Sequence, residues 1–195
     1  MLVVFAPLGG HAQVDPATRA TVEKIAFEAL PSPDISLAKS KSFKAKDWLE
    51  VEAKVRVQAA PVPESGFVDQ ITVKWFMAVE NKGAGGNATA LITKEITYVN
   101  VPVEEDFYVS AYLSPASVKR ISGADRASER VVKAVAVQIL RNGKLIGVQN
   151  SGPTGEWWDQ PTLGQMTGVL LLDKNETPFK TFWWDRYGEI QEAGK

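Results

Sequence analysis

The stretch WLEVEAKVRVQA (48–59) sets Leu49, Val51, Ala53, Val55 and Val57 on one side of the chain and Glu50, Glu52, Lys54, Arg56 and Gln58 on the other. Apolar residues at every second position fit extended chain, whose side chains point alternately to opposite faces. One side is expected to pack and the other to meet water, as in an antiparallel sheet covered on one face.

Working outward, the same period recurs in FVDQITVKWFMAVEN (67–81), with Ile71, Val73, Trp75, Met77 and Val79 facing inward. NKGAGGN (81–87) reads as a turn, because its glycines tolerate positive φ. TALITKEITYVNV (89–101) and EDFYVSAYL (105–113) follow as strands, and SPASVKRIS (114–122) opens on a Ser-Pro pair suited to one helical turn. RVVKAVAVQIL (130–140) is apolar on both faces, as a central strand would be. RNGK (141–144) then supplies Asn142-Gly143 for a two-residue type I′ turn, and LIGVQNS (145–151) returns antiparallel. TGVLLL (167–172) and FKTFWW (179–184) read as the last strands, either side of the turn DKNETP (173–178), and Ile35 to Lys39 as an edge strand.

Ahead of these strands, QVDPATRATVEKIAFEAL (13–30) spaces Val22, Ile25, Ala26, Ala29 and Leu30 as a helix would, after Asp15-Pro16 and before the breaker PSPD (31–34). Nine short strands with turn signals between them predict a mainly β chain folded as an antiparallel β-sandwich with a short N-terminal helix. The expected division is a truncated signal peptide over 1–12, a helical leader over 13–33, the sandwich over 34–187 and a tail over 188–195. Trp75, Leu49, Val51, Val55, Val137 and Ile139 are the expected core.

The 195 residues are 45% hydrophobic and 23% charged with a net charge of -1, which suits one soluble globular domain and gives no basic field for nucleic acid. Cysteine is absent and His11 is the sole histidine. Thiol nucleophiles, thiolate zinc, iron–sulfur clusters and disulfides are therefore excluded, and the usual nucleophile–base pairs are missing from the expected mature chain. No cofactor or metal is expected, and the chain is read as non-enzymatic. The start, MLVVFAPLGGHAQ (1–13), has a short apolar run followed by small residues three and one places before Gln13, the pattern of a signal-peptidase site. Export to the periplasm or cell surface is expected, with no membrane span, since no apolar run nears about 18 residues.

Trp-Trp-Asp occurs twice, as Trp157-Trp158-Asp159 and Trp183-Trp184-Asp185. If both copies lie on strands, period two sends one indole of each pair inward and one outward. Three uses stay open: packing over the ends of the sandwich, an outward platform for a glycan or protein partner, or a glycosidase pair made of Asp159 and Asp185. Trp157, Trp158, Trp183, Trp184 and Tyr187 are thus the candidate binding residues, and no catalytic residue is assigned. KSKSFKAK (39–46) reads as an edge kept soluble by lysines rather than as an anion site.

A buried Trp75 two strands into the sandwich, followed by the Asn-Gly hairpin, is similar to the immunoglobulin-like plan without its disulfide. Through FKAKDWLEVEAKV (43–55), FYVSAYLSPASVKRI (107–121) and TPFKTFWWDRYGEI (177–190), the chain resembles small exported immunoglobulin-like proteins encoded with type IV pilus genes in Verrucomicrobia of the Akkermansia type. The resemblance implies a non-catalytic β-sandwich that contacts a protein partner in envelope or pilus assembly. With no long apolar N-terminal helix in the sequence, it implies an accessory and not a filament subunit.

Overall fold

The computed structural model describes residues 17–34, 44–81 and 88–192. Two sheets face each other. Strands β1 (Ala17–Pro31), β2 (Asp47–Ala60) and β5 (Asp106–Leu113) form a three-stranded sheet in the order β1-β2-β5. Against it lie β3 (Phe67–Asn81), β4 (Ala88–Pro102), β6 (Val132–Arg141) and β7 (Lys144–Asn150), in the order β7-β6-β3-β4. Two short strands extend the second sheet: β8 (Gly164–Gln165) runs parallel to β4, and β9 (Glu189–Ile190) antiparallel to it.

This order is the A-B-E and G-F-C-C′ arrangement of an immunoglobulin-like sandwich, with no strand in the D place among the described residues. Trp75 sits on the strand in the C place. It is fully buried, as are Leu49, Val51, Val55, Val137 and Ile139, so the alternation read in 48–59 and 67–81 describes the core. Cross-strand partners share a face, which puts Ile71 with Tyr98, Val73 with Ile96 and Met77 with Ile92 in one inward layer. The Asn142-Gly143 turn has φ of 51° and 74°, the two positive values a type I′ turn requires. Helix α1 (Pro115–Ser122) starts on the Ser114 cap, buries Val118 and Ile121, and ends at Gly123 with φ 76°.

Four expectations are corrected. Residues 17–31 are a strand and not a helical leader, because a bulge pairs Val22 with Val55 but Ile25 with Ala53, three residues against two. The extra residue flips the alternation, and the resulting i, i+3 step imitates a helix. Segment 167–172 is irregular apart from one bridge between Leu172 and Tyr112. FKTFWW is not a strand either: Pro178–Thr181 is a 3₁₀ turn capped by the Thr177 hydroxyl, and Trp183 takes the left-handed region at φ 54°. The tail also contributes a strand, since Ile190 pairs with Tyr98. The expected signal peptide, the edge strand 35–39 and most of both the lysine run 39–46 and the turn 81–87 lie outside the described residues.

Both open sides of the sandwich are closed. On one, β1 lies so near β7 that a Cβ on Gly147 would come 2.3 Å from the Ala20 carbonyl oxygen. On the other, the segment after Leu172 runs beside β5 and then joins β4 through β9. Lys94 explains part of that second closure. It stands opposite inward-facing Trp75 in the β4 register, and its ammonium meets Asp173 at 3.3 Å and Glu176 at 2.5 Å. A cation at an inward position needs such partners, and the 173–176 turn supplies them.

Candidate functional site: the aromatic ridge of the C-terminal segment

The polar register of β2 places Glu50 on the outer face of the three-stranded sheet, yet Glu50 is only 2% exposed. Its cover is the segment 172–188. Asp173 and Glu176 form a reciprocal capping box around the 3₁₀ turn Lys174–Glu176, and Thr177 caps the next turn, so two tight bends fold the chain back over the sheet. Phe179 is the anchor: it is buried, stacks on Tyr112 with centroids 5.8 Å apart and meets Trp48 edge-on at 5.8 Å, beside Leu30.

Polar contacts complete the cover. Tyr112 donates to Glu50 at 2.5 Å, and the Tyr187 hydroxyl lies 2.9 Å from Glu50 and 2.8 Å from Glu52. Arg186 donates from Nε and one terminal nitrogen to the two Glu52 oxygens, and its guanidinium stacks 3.6 Å from the Tyr108 ring centroid. Burial raises the Glu50 carboxyl above the ordinary carboxylate range, and the bonds from Tyr112 and Tyr187 only partly oppose this. Lys174 is 5% exposed; its ammonium bonds the Phe182 carbonyl oxygen and lies 5.0 Å from the Tyr187 ring centroid. Burial lowers its pKa, against the pull of Glu50.

The two Trp-Trp-Asp copies have opposite fates. Trp157 and Trp158 form a 3₁₀ turn and are 6% and 5% exposed, so both indoles are buried. They cover the outer face of the larger sheet in one cluster with Ala78, Leu91, Ala134 and Ala136. Trp158 stacks on Phe76 at 5.4 Å, and the Trp157 N–H donates to Asn150 at 2.7 Å. Trp183 and Trp184 are 49% and 61% exposed, and with Phe182 at 39% they form an outward ridge. The expectation of one inward and one outward indole per copy is corrected in both, because neither copy is on a strand. Trp157 and Trp158 are therefore not a binding platform.

The structure does not bring Asp159 and Asp185 together. Asp185 lines a groove beside Val99, whereas Trp157 and Trp158 cluster with Leu91, eight residues along β4. That length of strand is about 26 Å. A glycosidase pair needs its carboxyls within about 9.5 Å across one cleft, and the groove that Asp185 lines does not include Asp159.

The ridge separates two grooves. One, of ≈ 600 Å³, is lined by Trp184, Asp185, Lys174, Lys180, Glu189 and Glu192 among others. The other, of ≈ 300 Å³, is lined by Trp183, Glu28, Leu30, Glu50, Glu52 and Arg186, with Tyr187 shared by both. Reading the sequence found Trp183, Trp184 and Tyr187 but missed Phe182, Phe179, Glu50, Lys174 and Arg186. The D-x-x-E spacing of Asp173 and Glu176, followed by Thr177-Pro178, was the signal for a capped bend at this place.

The fold and this covered sheet define a β-sandwich of the immunoglobulin-like class whose C-terminal segment clasps both sheets. A family model matches residues 11–194, and the chain belongs to that family. A protein of Akkermansia muciniphila known from a crystal structure is 37% identical, with a TM-score of 0.85 over 91% of this chain and 95% of that one. No curated protein matches. The kinship to the Akkermansia-type sandwiches that 43–55, 107–121 and 177–190 suggested is thereby established at the level of family and fold.

Proposed function

We propose that this chain is a non-catalytic, exported β-sandwich that acts by protein–protein contact in a bacterial envelope or type IV pilus system, with Phe182, Trp183 and Trp184 as its contact ridge. The observation that carries this reading is three successive aromatic residues left in solvent, while Trp157 and Trp158 of the same chain are buried. Large aromatic side chains grouped on a surface are typical anchors of interfaces, where each can lose much apolar area to a partner. Trp183 strengthens the point. Its φ of 54° is disfavoured for a residue with a Cβ, yet it is kept where the indole, stacked on Phe179 with centroids 6.3 Å apart, is still 49% exposed. The envelope setting comes from the resemblance carried by 43–55, 107–121 and 177–190.

The test is capture from bacterial envelope extract with the intact chain and with the Trp183→Ala/Trp184→Ala variant, alongside piliation of a deletion strain. The reading expects an envelope or pilus protein retained by the intact chain and lost by the variant. Recovery of no such component, together with unchanged piliation, would overturn it.

A second reading has its own observation. The ≈ 600 Å³ groove pairs the exposed Trp184 indole with Asn175, Asp185 and Gln191, a mixture of stacking surface and planar polar groups that suits a sugar ring. Glycan-array binding that disappears in Trp184→Ala supports it, and a flat array removes it.

A further inference from the structure

The two grooves beside the ridge share an excess of acid. In the smaller, the carboxyls of Glu28, Glu50 and Glu52 face one guanidinium, Arg186. In the larger, the carboxylates of Asp185, Glu189 and Glu192 face the ammonium groups of Lys174 and Lys180. The cations are already engaged: Arg186 holds Glu52, Lys180 meets Glu192 at 3.3 Å, and Lys174 is buried on the Phe182 carbonyl. The side-chain carboxylates of Glu28 and Asp185 make no hydrogen bond or ion pair among the described residues. Glu28 also stands directly across from Glu50 in the β1–β2 register, a like-charge pairing that a sheet normally avoids. The chain as a whole carries a net charge of only -1, so the acid here is local.

Exposed indoles between carboxylates without counter-charges match one chemistry best, that of a cation on an apolar stem. An ammonium or guanidinium can lie over the face of Trp183 or Trp184 while it pairs with Glu28 or Asp185, and its methylenes cover the ring edges. We infer that the partner of the ridge is a basic segment of another protein, which presents Lys or Arg side chains into the two grooves and apolar side chains onto Phe182, Trp183 and Trp184. The inference rests on the protein-contact reading and specifies what that contact must recognise. A neutral glycan would leave Glu28 and Asp185 without cationic partners, and an acidic segment would be repelled by them.

The experiment titrates the full chain with three probes and follows tryptophan fluorescence: a short peptide alternating Arg and Leu, its counterpart with Glu for Arg, and a neutral β-linked oligosaccharide. The basic peptide should bind and the acidic peptide should not. Its affinity should fall about tenfold in Glu28→Gln/Asp185→Asn and again in Trp184→Ala, and should weaken between about 0.05 and about 0.5 M salt. These positions lie outside the buried core, and unchanged thermal melting verifies that the fold is intact. Equal binding of both peptides, binding unaffected by the variants, absence of peptide binding, or binding of the oligosaccharide alone would each overturn the inference. Trp-dependent capture of an envelope protein combined with no preference for the basic peptide would leave the protein-contact reading standing and remove only this one.

Discussion

The Tyr187 hydroxyl lies 2.9 Å from the carboxyl of Glu50 and so ties the end of the chain to the middle of the three-stranded sheet. Glu50 occupies a place that the alternation of β2 assigns to solvent, and Tyr187 lies 137 residues away along the chain. Between them they turn a half-exposed sheet into a covered one. One residue later Gly188 donates its N–H to the Tyr108 carbonyl, and two residues beyond that Ile190 pairs with Tyr98 on the opposite sheet. The segment is thus a clasp with contacts on both sheets, and the aromatic ridge is the outer surface of that clasp.

Tyr187→Phe should loosen the clasp without disturbing the core. The substitution keeps the ring and removes the hydroxyl that serves Glu50 and Glu52, at a cost of about 1 to 3 kcal/mol, the range for a hydrogen bond to a charged or buried partner. Urea unfolding should show a lower midpoint with the slope unchanged. Hydrogen exchange should rise in residues 186–190 before it rises in β2 or β3.

The pH dependence should carry the signature of Glu50. Its pKa is raised in the folded chain, so the folded state binds more protons than the unfolded state above the ordinary value of 4.5. Stability contributed by this group therefore falls as pH rises through that window and is unpenalised below it. Asp106 acts in the opposite sense. Hydrogen bonds from Arg56 and Lys54 lower it to about 2, so its contribution is present above the ordinary 3.8 and lost as pH falls toward 2. Glu50→Gln keeps an oxygen that can accept from Tyr112, and its stability relative to the parent should grow from about pH 4 to about pH 8. A difference that stays constant over that range would show that Glu50 titrates as an ordinary exposed carboxyl does.

Gly147→Ala tests the opposite side of the sandwich. The added methyl would meet the Ala20 carbonyl oxygen at 2.3 Å, and because that atom is backbone, β1 must move away from β7. The Gln149 amide bond to the Val22 carbonyl, at 3.2 Å, would be strained with it. A loss of about 1 to 3 kcal/mol is expected in denaturant titration, the usual cost of overpacking a tight contact.

How much of this was legible in the sequence depends on whether local rules governed the segment. Strands β2 and β3 follow period two because each turns one face into the core, and 48–59, 67–81 and the Asn142-Gly143 turn announce themselves. β1 was hidden by a single extra residue, since a bulge between Val22 and Ile25 leaves a spacing that a helix shares. The clasp was hidden for a different reason. Residues 172–190 take their shape from what they cover, and nothing near Glu50 in sequence signals that Phe179 and Tyr187 will bury it. Only the capping box at Asp173 and Glu176 marked the bend locally.

The duplicated Trp-Trp-Asp gives the sharpest contrast between identical sequence and different energetics. Trp158 is 5% exposed and stacks on Phe76, so Trp158→Ala should open a large void over the outer face of β3 and β6 and cost about 3 to 5 kcal/mol. Trp184 is 61% exposed, and the Lys174 ammonium lies 5.6 Å from its ring centroid. Trp184→Ala should therefore change stability by no more than about 0.5 kcal/mol, in line with exposed sites that hold no buried network. Equilibrium unfolding of the two variants side by side measures this difference directly. A large loss for Trp184→Ala would mean that the ridge is structural, and the case for it as a contact surface would go with it. A small loss combined with loss of partner capture would show that exposure at this position serves recognition, since the fold does not need the ring.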